Sequence, residues 1–196
     1  MRIKYQIKML TDWHVGSGLD SGANADSLVL KDSNRLPYIP GKTIKGLLKD
    51  ALNEMADVKP ELKEHINHIF GYAKANTEKE SDKSTEKEAD KSTVKGTAFF
   101  SNAELSEEEQ NDIVTNKYQS YLYRNLATTA IAKNGIAKAK SLRTMEVTMP
   151  LTLEGEIEVT DSKDVEVLEM AFKWLRHLGV NRNRGLGRCK FFKKDQ

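Results

Sequence analysis

Polar and apolar residues alternate from the start of the chain. Ile3, Tyr5, Ile7 and Met9 fall on one face of residues 2 to 9, and Arg2, Lys4, Gln6 and Lys8 on the other. That period of two predicts a half-buried strand. A long run rich in Gly, Ser, Asp and Asn follows, WHVGSGLDSGANADS, and reads as a loop. SLVLKD reads as a short strand and SNRLPYIPG as a turn with two prolines. Between Lys42 and Ala56 the period changes: Ile44, Leu47, Leu48, Ala51, Leu52 and Met55 form a helical stripe that ends before Pro60. A shorter helix is expected over residues 61 to 70, closed by Gly71. GTAFFSNAEL predicts a further strand.

Residues 146 to 159 alternate again, with Val147, Met149, Leu151, Leu153, Ile157 and Val159 on one face. Asp161 or Ser162 can cap a helix striped by Val165, Leu168, Phe172 and Leu175, with Gly179 placed as its C′ residue. A short strand near CKFF ends the series. The order strand, helix, strand, strand, helix, strand predicts an α+β, ferredoxin-like (RRM-like) βαββαβ layout with long loop insertions. At 196 residues, a single domain is expected over residues 1–196.

Two stretches interrupt the pattern. TEKESDKS is followed at once by TEKEADKS; residues 77–95, polar and charged, are expected to be a disordered surface insertion. Residues 115–145 are too long for an ordinary connection and predict an excursion from the core, with a turn at KNG, 133 to 135.

Composition narrows the class. No run approaches the ~20 apolar residues of a membrane span, and the N-terminus lacks a signal-peptide core, so a cytoplasmic protein without membrane contact is expected. The single cysteine, Cys189, rules out an internal disulfide and a cysteine-based zinc site, and is expected to be packed. Net charge is only +2, but it is unevenly spread. Residues 61 to 114 carry 13 acidic and 7 basic side chains, whereas 115 to 145 carry six basic and no acidic ones. From 171 to the end there are eight basic residues and one Asp. The asymmetry points either to a polyanion partner or to a solvated basic face.

The chemistry-bearing motifs are few. PGKT, 40 to 43, looks like the end of a phosphate-binding Walker A loop, but Leu36 occupies the place of the required first glycine, which excludes a nucleoside triphosphatase. It remains a helix entrance whose N–H groups, with Lys42, Thr43 and Lys45, can hold a backbone phosphate. His65 and His68 are three apart without a third ligand nearby, so ordinary histidines are expected. The tail LGVNRNRGLGR combines Gly179, Gly185 and Gly187 with Asn181, Arg182, Arg184 and Arg188. Such a loop can turn successive N–H groups toward an anion while the guanidiniums fork onto phosphate.

These stretches resemble a known family. GVNRNRGLGR is similar to the C-terminal glycine-rich loop of the RAMP superfamily of CRISPR-associated proteins. WHVGSGLDSGANADSLVLKDSNRLPYIPGKTIKG resembles the opening of the repeating backbone subunit of type III CRISPR effector complexes. The matching features are His14 to Gly16, the loop residue Asp26, LVLKD, and LPYIPGKTIKG. The resemblance is clear over residues 1 to 56 and 146 to 192. It implies a palm that binds guide RNA through His14, Lys42, Thr43, Lys45 and the glycine-rich loop. It also implies a thumb inserted between guide and target, for which 115–145, with Lys138, Lys140 and Arg143, is the candidate. Further implied are copies of the chain along the guide, other type III subunits as partners, and cutting of paired target RNA at regular intervals through Asp26 with a divalent metal, Mg²⁺.

A lone carboxylate in such a loop suits one Mg²⁺ completed by water and substrate oxygens, or the orienting of an attacking 2′-hydroxyl, and Asp20 stands close in sequence. Two alternatives stay open. One is a scaffold subunit that binds guide RNA without cutting. The other is a guide-precursor endoribonuclease using His14, although such enzymes often carry two ferredoxin-like halves and this length holds one.

Overall fold

In the computed structural model, the described residues are 1–18, 26–74 and 93–194. The alternating N-terminal segment is strand β1 (Arg2–Met9), one of the two inner strands of a four-stranded antiparallel sheet. Its neighbours are β7 (Thr152–Glu158) and β8 (Cys189–Lys193); β4 (Phe99–Phe100) closes the far edge, in the order β4-β7-β1-β8. Numbered within the palm alone, that order is 2-3-1-4, the arrangement expected of a ferredoxin-like sheet. Register puts Ile3 opposite Ile157 and Ile7 between Leu153 and Phe191.

The buried face of β1 (Ile3, Tyr5, Ile7 and Met9) is at most 3% exposed. Each such side chain contributes roughly 1.5–3 kcal/mol of burial. Tyr5 pairs across the sheet with Gly155, where any Cβ would collide with the phenol; the ring instead packs against Phe191 and Phe172, centroids 4.8 and 6.1 Å away.

Helix α1 (Gly41–Ala56) buries Ile44, Leu48, Ala51 and Leu52, as its stripe predicts. Helix α2 (Leu62–Phe70) ends at Gly71, whose φ of 78° only glycine adopts easily. Helix α4 (Ser162–Trp174) is capped by Asp161, which accepts the Lys163 N–H at 3.0 Å, and buries Val167, Leu168, Ala171 and Phe172 against the sheet. His65 and His68 on α2 both bond the fully buried Asp164 of α4, at 3.0 and 2.7 Å, and so join two helices as structural histidines.

Several sequence expectations change. Residues 146 to 159 are two strands in different sheets. β6 (Arg143–Thr148) pairs with β5 (Tyr123–Thr128) in a separate hairpin, and β7 begins after Pro150, which has no N–H to continue a ladder. SLVLKD forms single bridges rather than a sheet strand: Gly16 with Val29, Ser27 with Met145, Lys31 with Pro37. Helix α4 stops at Trp174, and Leu175 is already extended (ψ 115°), so Gly179 is not its C′ residue. Helix α3 (Glu107–Thr115) was not expected, although Ser106 and Glu109 form a capping box at its start. The repeat at 77–92 lies outside the described residues, whereas 93–95 form strand β3 (Thr93–Lys95), paired with β2 (Gly71–Ala73). Cys189 is packed in the core. Among the described residues, no helix is long and apolar enough to cross a membrane.

Candidate nucleic-acid interface

The excursion from the core is a β-hairpin. β5 and β6 pair from Tyr123↔Thr148 to Thr128↔Arg143, so it spans 123–148; residues 115–122 belong to the end of α3 and a short 3-10 turn. Its tip turns at Gly135, φ 77°, inside the KNG triplet. Its base is fixed to the palm. Trp13 and Thr148 exchange backbone hydrogen bonds (3.0 and 2.8 Å), and the buried Trp13 indole donates to the Met149 carbonyl. Arg124 forms an ion pair with Asp12, itself only 7% exposed. Lys31 lies 3.9 Å over the Tyr123 ring and donates to Glu146. Burial, with Glu146 and Asp32 nearby, raises the Tyr123 phenol above its usual range.

Three consecutive residues of β6 gather the predicted functional segments. At Thr144, Asp26 forms a two-way link: its N–H donates to the Thr144 carbonyl (2.8 Å), and its Oδ2 accepts the Thr144 N–H (2.7 Å). At Met145, Ser27 makes a parallel bridge, and Asn181 of the tail donates to the sulfur at 3.8 Å. At Glu146, the N–H donates to the Ser27 carbonyl and the Glu146 carbonyl receives His14 Nδ1 at 2.7 Å. Because that carbonyl can only accept, Nδ1 carries the proton. In a neutral ring Nε2 then accepts from the Ser27 hydroxyl, 3.0 Å away.

His14 therefore departs from its expected role as an RNA contact. It is 1% exposed with both ring nitrogens engaged, and it pins the Asp26 segment to the hairpin. A buried, doubly bonded imidazole also has no free nitrogen for cutting a precursor RNA.

The glycine-rich tail reaches the same place. Gly179 (φ 82°) has no room for a Cβ, which would strike the His14 carbonyl; that carbonyl accepts the Val180 N–H at 3.1 Å. Gly187 (φ 71°) is likewise pressed against the Leu178 carbonyl, and its N–H donates to Asp12. Between these two anchors Asn181 (φ 55°) and Gly185 (φ 89°) are left-handed, and residues 180 to 185 are exposed. Among the described residues, Arg182, Arg184 and Arg188 have no ion-pair partner, and neither do Lys138, Lys140 or Arg143 of the hairpin. Six uncompensated cations thus stand on two surface elements joined through Met145.

The start of α1 is arranged differently. Its Gly41 N–H is taken by Asn102 Oδ1 (3.0 Å), and the Thr43 and Ile44 N–H groups by the Pro40 carbonyl, which leaves the Lys42 N–H. Lys42 opens on a cleft shared with Glu104, Glu107 and Glu156, whereas Arg182 lines a different groove with Leu47 and Glu54. Thr43 precedes Leu47 by one helical turn and lies toward the tail side, and Lys45 is half-buried. The structure therefore brings together Asp26, His14, the hairpin and the tail, but not Lys42. Asp20 lies outside the described residues.

Among the described residues, no group of three His, Cys, Asp or Glu side chains is placed to hold a metal ion. Asp26 is exposed, and its Oδ1 takes no hydrogen bond from them, so the chain offers one free carboxylate oxygen at this point.

A ferredoxin-like palm carrying a cationic hairpin and a glycine-arginine turn is the class of architecture that this chain presents. The particular family follows from comparison: the model of the RAMP superfamily matches residues 6–190, and the chain belongs to that superfamily. It is 28% identical over 205 residues to the CRISPR system Cms endoribonuclease Csm3 of Enterococcus italicus, an alignment covering 97% of this chain and 89% of that protein. Two solved structures share the fold at 11% identity. One is the type III-B Cmr-beta complex in its apo state (TM-score 0.70, 100% of this chain and 98% of that chain). The other is the same type of complex bound to cognate target RNA (TM-score 0.68, 98% and 97%).

Proposed function

We propose that this protein is a guide-RNA-binding backbone subunit of a type III CRISPR interference complex and that it cuts guide-paired target RNA. The observation that carries the reading is the junction at residues 144–146, where an exposed carboxylate, a cationic hairpin and a cationic left-handed turn meet on one strand. The superfamily membership and the similarity to Csm3, an endoribonuclease by name, support it. Arg182, Arg184 and Arg188 grip successive guide phosphates, which gives affinity without sequence preference. The hairpin acts as the thumb. Its tip presents Ile131 (70% exposed) and Ile136 (65%), apolar enough to separate bases, with Lys138, Lys140 and Arg143 toward phosphates. Copies of the chain along the guide, other type III subunits and a cytoplasmic setting complete the proposal.

Asp26 acts at the cut. The Thr144 N–H holds Oδ2, which aims the carboxylate and leaves Oδ1 for the substrate side. One free oxygen fits a Mg²⁺ that keeps most of its ligands as water and RNA oxygens. Such an ion, when bound, supplies charge neutralisation at the scissile phosphate. The chain's own part is to hold that oxygen still beside the thumb.

A scaffold that never cuts is the second reading, favoured by the lack of a three-donor group among the described residues. Asp26→Ala separates the two in the assembled complex. Guide binding is expected to persist while target cutting disappears, and cutting at the wild-type rate in that variant overturns the catalytic assignment.

A further inference from the structure

Beside the arginine turn lies a groove of about 260 Å³, just below the roughly 300–1,000 Å³ of drug-sized ligand clefts. Leu47 and Ala51 of α1 and Leu175 supply apolar lining, and Trp174, at the end of α4, forms another part of its wall. Trp174 is 51% exposed, although its indole N–H is fixed to Glu54 Oε2 at 2.8 Å. An indole held by its edge, with half its surface in solvent, is a rigid platform with little left to lose in entropy on binding. Arg182 lines the same groove, which is therefore continuous with the proposed phosphate-gripping turn.

The charges tell which part of a nucleotide fits. Asp50 and Glu54 on α1 also line the groove, so a phosphate is repelled from it and held outside by the turn. A carboxylate accepts hydrogen bonds and cannot donate them. It therefore suits a base with an exocyclic amine better than uracil, which offers a single N3–H set between two carbonyl oxygens that a carboxylate repels.

We propose that this groove is a nucleobase-binding subsite: one unstacked adenine, cytosine or guanine of the bound RNA lies against Trp174 while its flanking phosphates rest on Arg182 and Arg184. The inference rests on the RNA-binding reading of the turn and adds base contact to it. It gives the subunit a local base preference in a protein that otherwise holds backbone.

Trp13 and Trp174 are the two tryptophans, and Trp13 is fully buried, so it emits as a constant background and quenching by a bound base reports on Trp174. Titrating the full chain with a single-stranded oligoadenylate is expected to quench the exposed indole, and an oligouridylate of equal length is expected to bind more weakly. Trp174→Ala should weaken oligoadenylate binding about 5- to 150-fold, the range for losing one base–aromatic stack, while Trp174→Phe should keep most of the affinity. Binding with no change in wild-type fluorescence, or equal affinity for both oligonucleotides in wild type and Trp174→Ala, overturns the subsite and leaves the turn's role standing. A Trp174→Ala defect seen only in self-association by sedimentation also overturns it, in favour of contact between copies. No binding of either oligonucleotide by the wild type overturns the RNA reading itself.

Discussion

Replacing His14 by Phe tests whether one imidazole holds the interface together. A flat, slightly larger ring still fills the site, so no cavity opens, but both hydrogen bonds go. The Glu146 carbonyl loses the Nδ1–H at 2.7 Å, and Ser27 loses its partner at 3.0 Å. A buried acceptor left without a donor costs about 1–3 kcal/mol, and an ordinary hydrogen bond about 1 kcal/mol. Together these give a loss of about 2–4 kcal/mol against a total stability of roughly 5–15 kcal/mol. With a urea m-value of about 2 kcal/mol/M, the unfolding midpoint should fall by about 1–2 M. The damage should also be local. Amide exchange should quicken at Asp26, whose N–H bonds Thr144, and at Glu146, whose N–H bonds Ser27, more than at Ile7 in the central sheet. A midpoint lowered by less than about 0.3 M, with exchange at both amides unchanged, refutes the pinning role.

Other expectations follow from single contacts. Gly187→Ala forces a Cβ into the Leu178 carbonyl at φ 71° and should cost about 2–5 kcal/mol, whereas Gly185→Ala, at φ 89° in open space, should cost only about 1–2 kcal/mol; urea melts of the pair rank them, and equal losses would contradict the packing. Burial pushes the Cys189 thiol up to about 12, so iodoacetamide at pH 8 should leave the native protein unmodified and alkylate it in urea; rapid native alkylation contradicts this. Lys194 donates to both Glu154 oxygens (2.7 Å each) and Gln6 to one, which lowers the Glu154 pKa below 4.5. That stabilisation is present above pH 4.5 and fades as pH falls through the lowered value. Lys194→Met should therefore flatten the acid limb of a stability-versus-pH curve, and an unchanged limb rules the pairing out as a contributor.

The elements legible in the sequence are those whose periodicity matches one environment from end to end. β1 alternates along its full length and the α1 stripe matches the face it buries, whereas the α4 stripe finds Leu168 and Phe172 but misses the buried Val167 and Ala171. Alternation misleads at 146–159, because period two is the same in any sheet and cannot register that Met149 and Pro150 carry the chain from the hairpin to the palm. Helix α3 buries no residue, so it has no stripe to see, and only its Ser106–Glu109 capping box announces it. Within the site, the arginines and glycines of the tail are plain in the sequence because both residue types carry their chemistry locally. The meeting of Asp26, His14 and Asn181 on Thr144, Met145 and Glu146 is not plain, since the partners lie 118, 132 and 36 residues apart. The burial of His14 is hidden for the same reason: HVG reads as loop until the hairpin strand is laid beside it.

The most direct test of RNA gripping by the C-terminal turn is the dependence of guide-RNA affinity on potassium chloride concentration, measured for the wild type and for the Arg182→Gln, Arg184→Gln, Arg188→Gln triple variant. Each phosphate contact on a single strand contributes about −0.7 to the slope of log K against log salt, so three lost contacts should flatten it by about 2. Parallel lines for the two proteins would mean that the phosphates are held elsewhere.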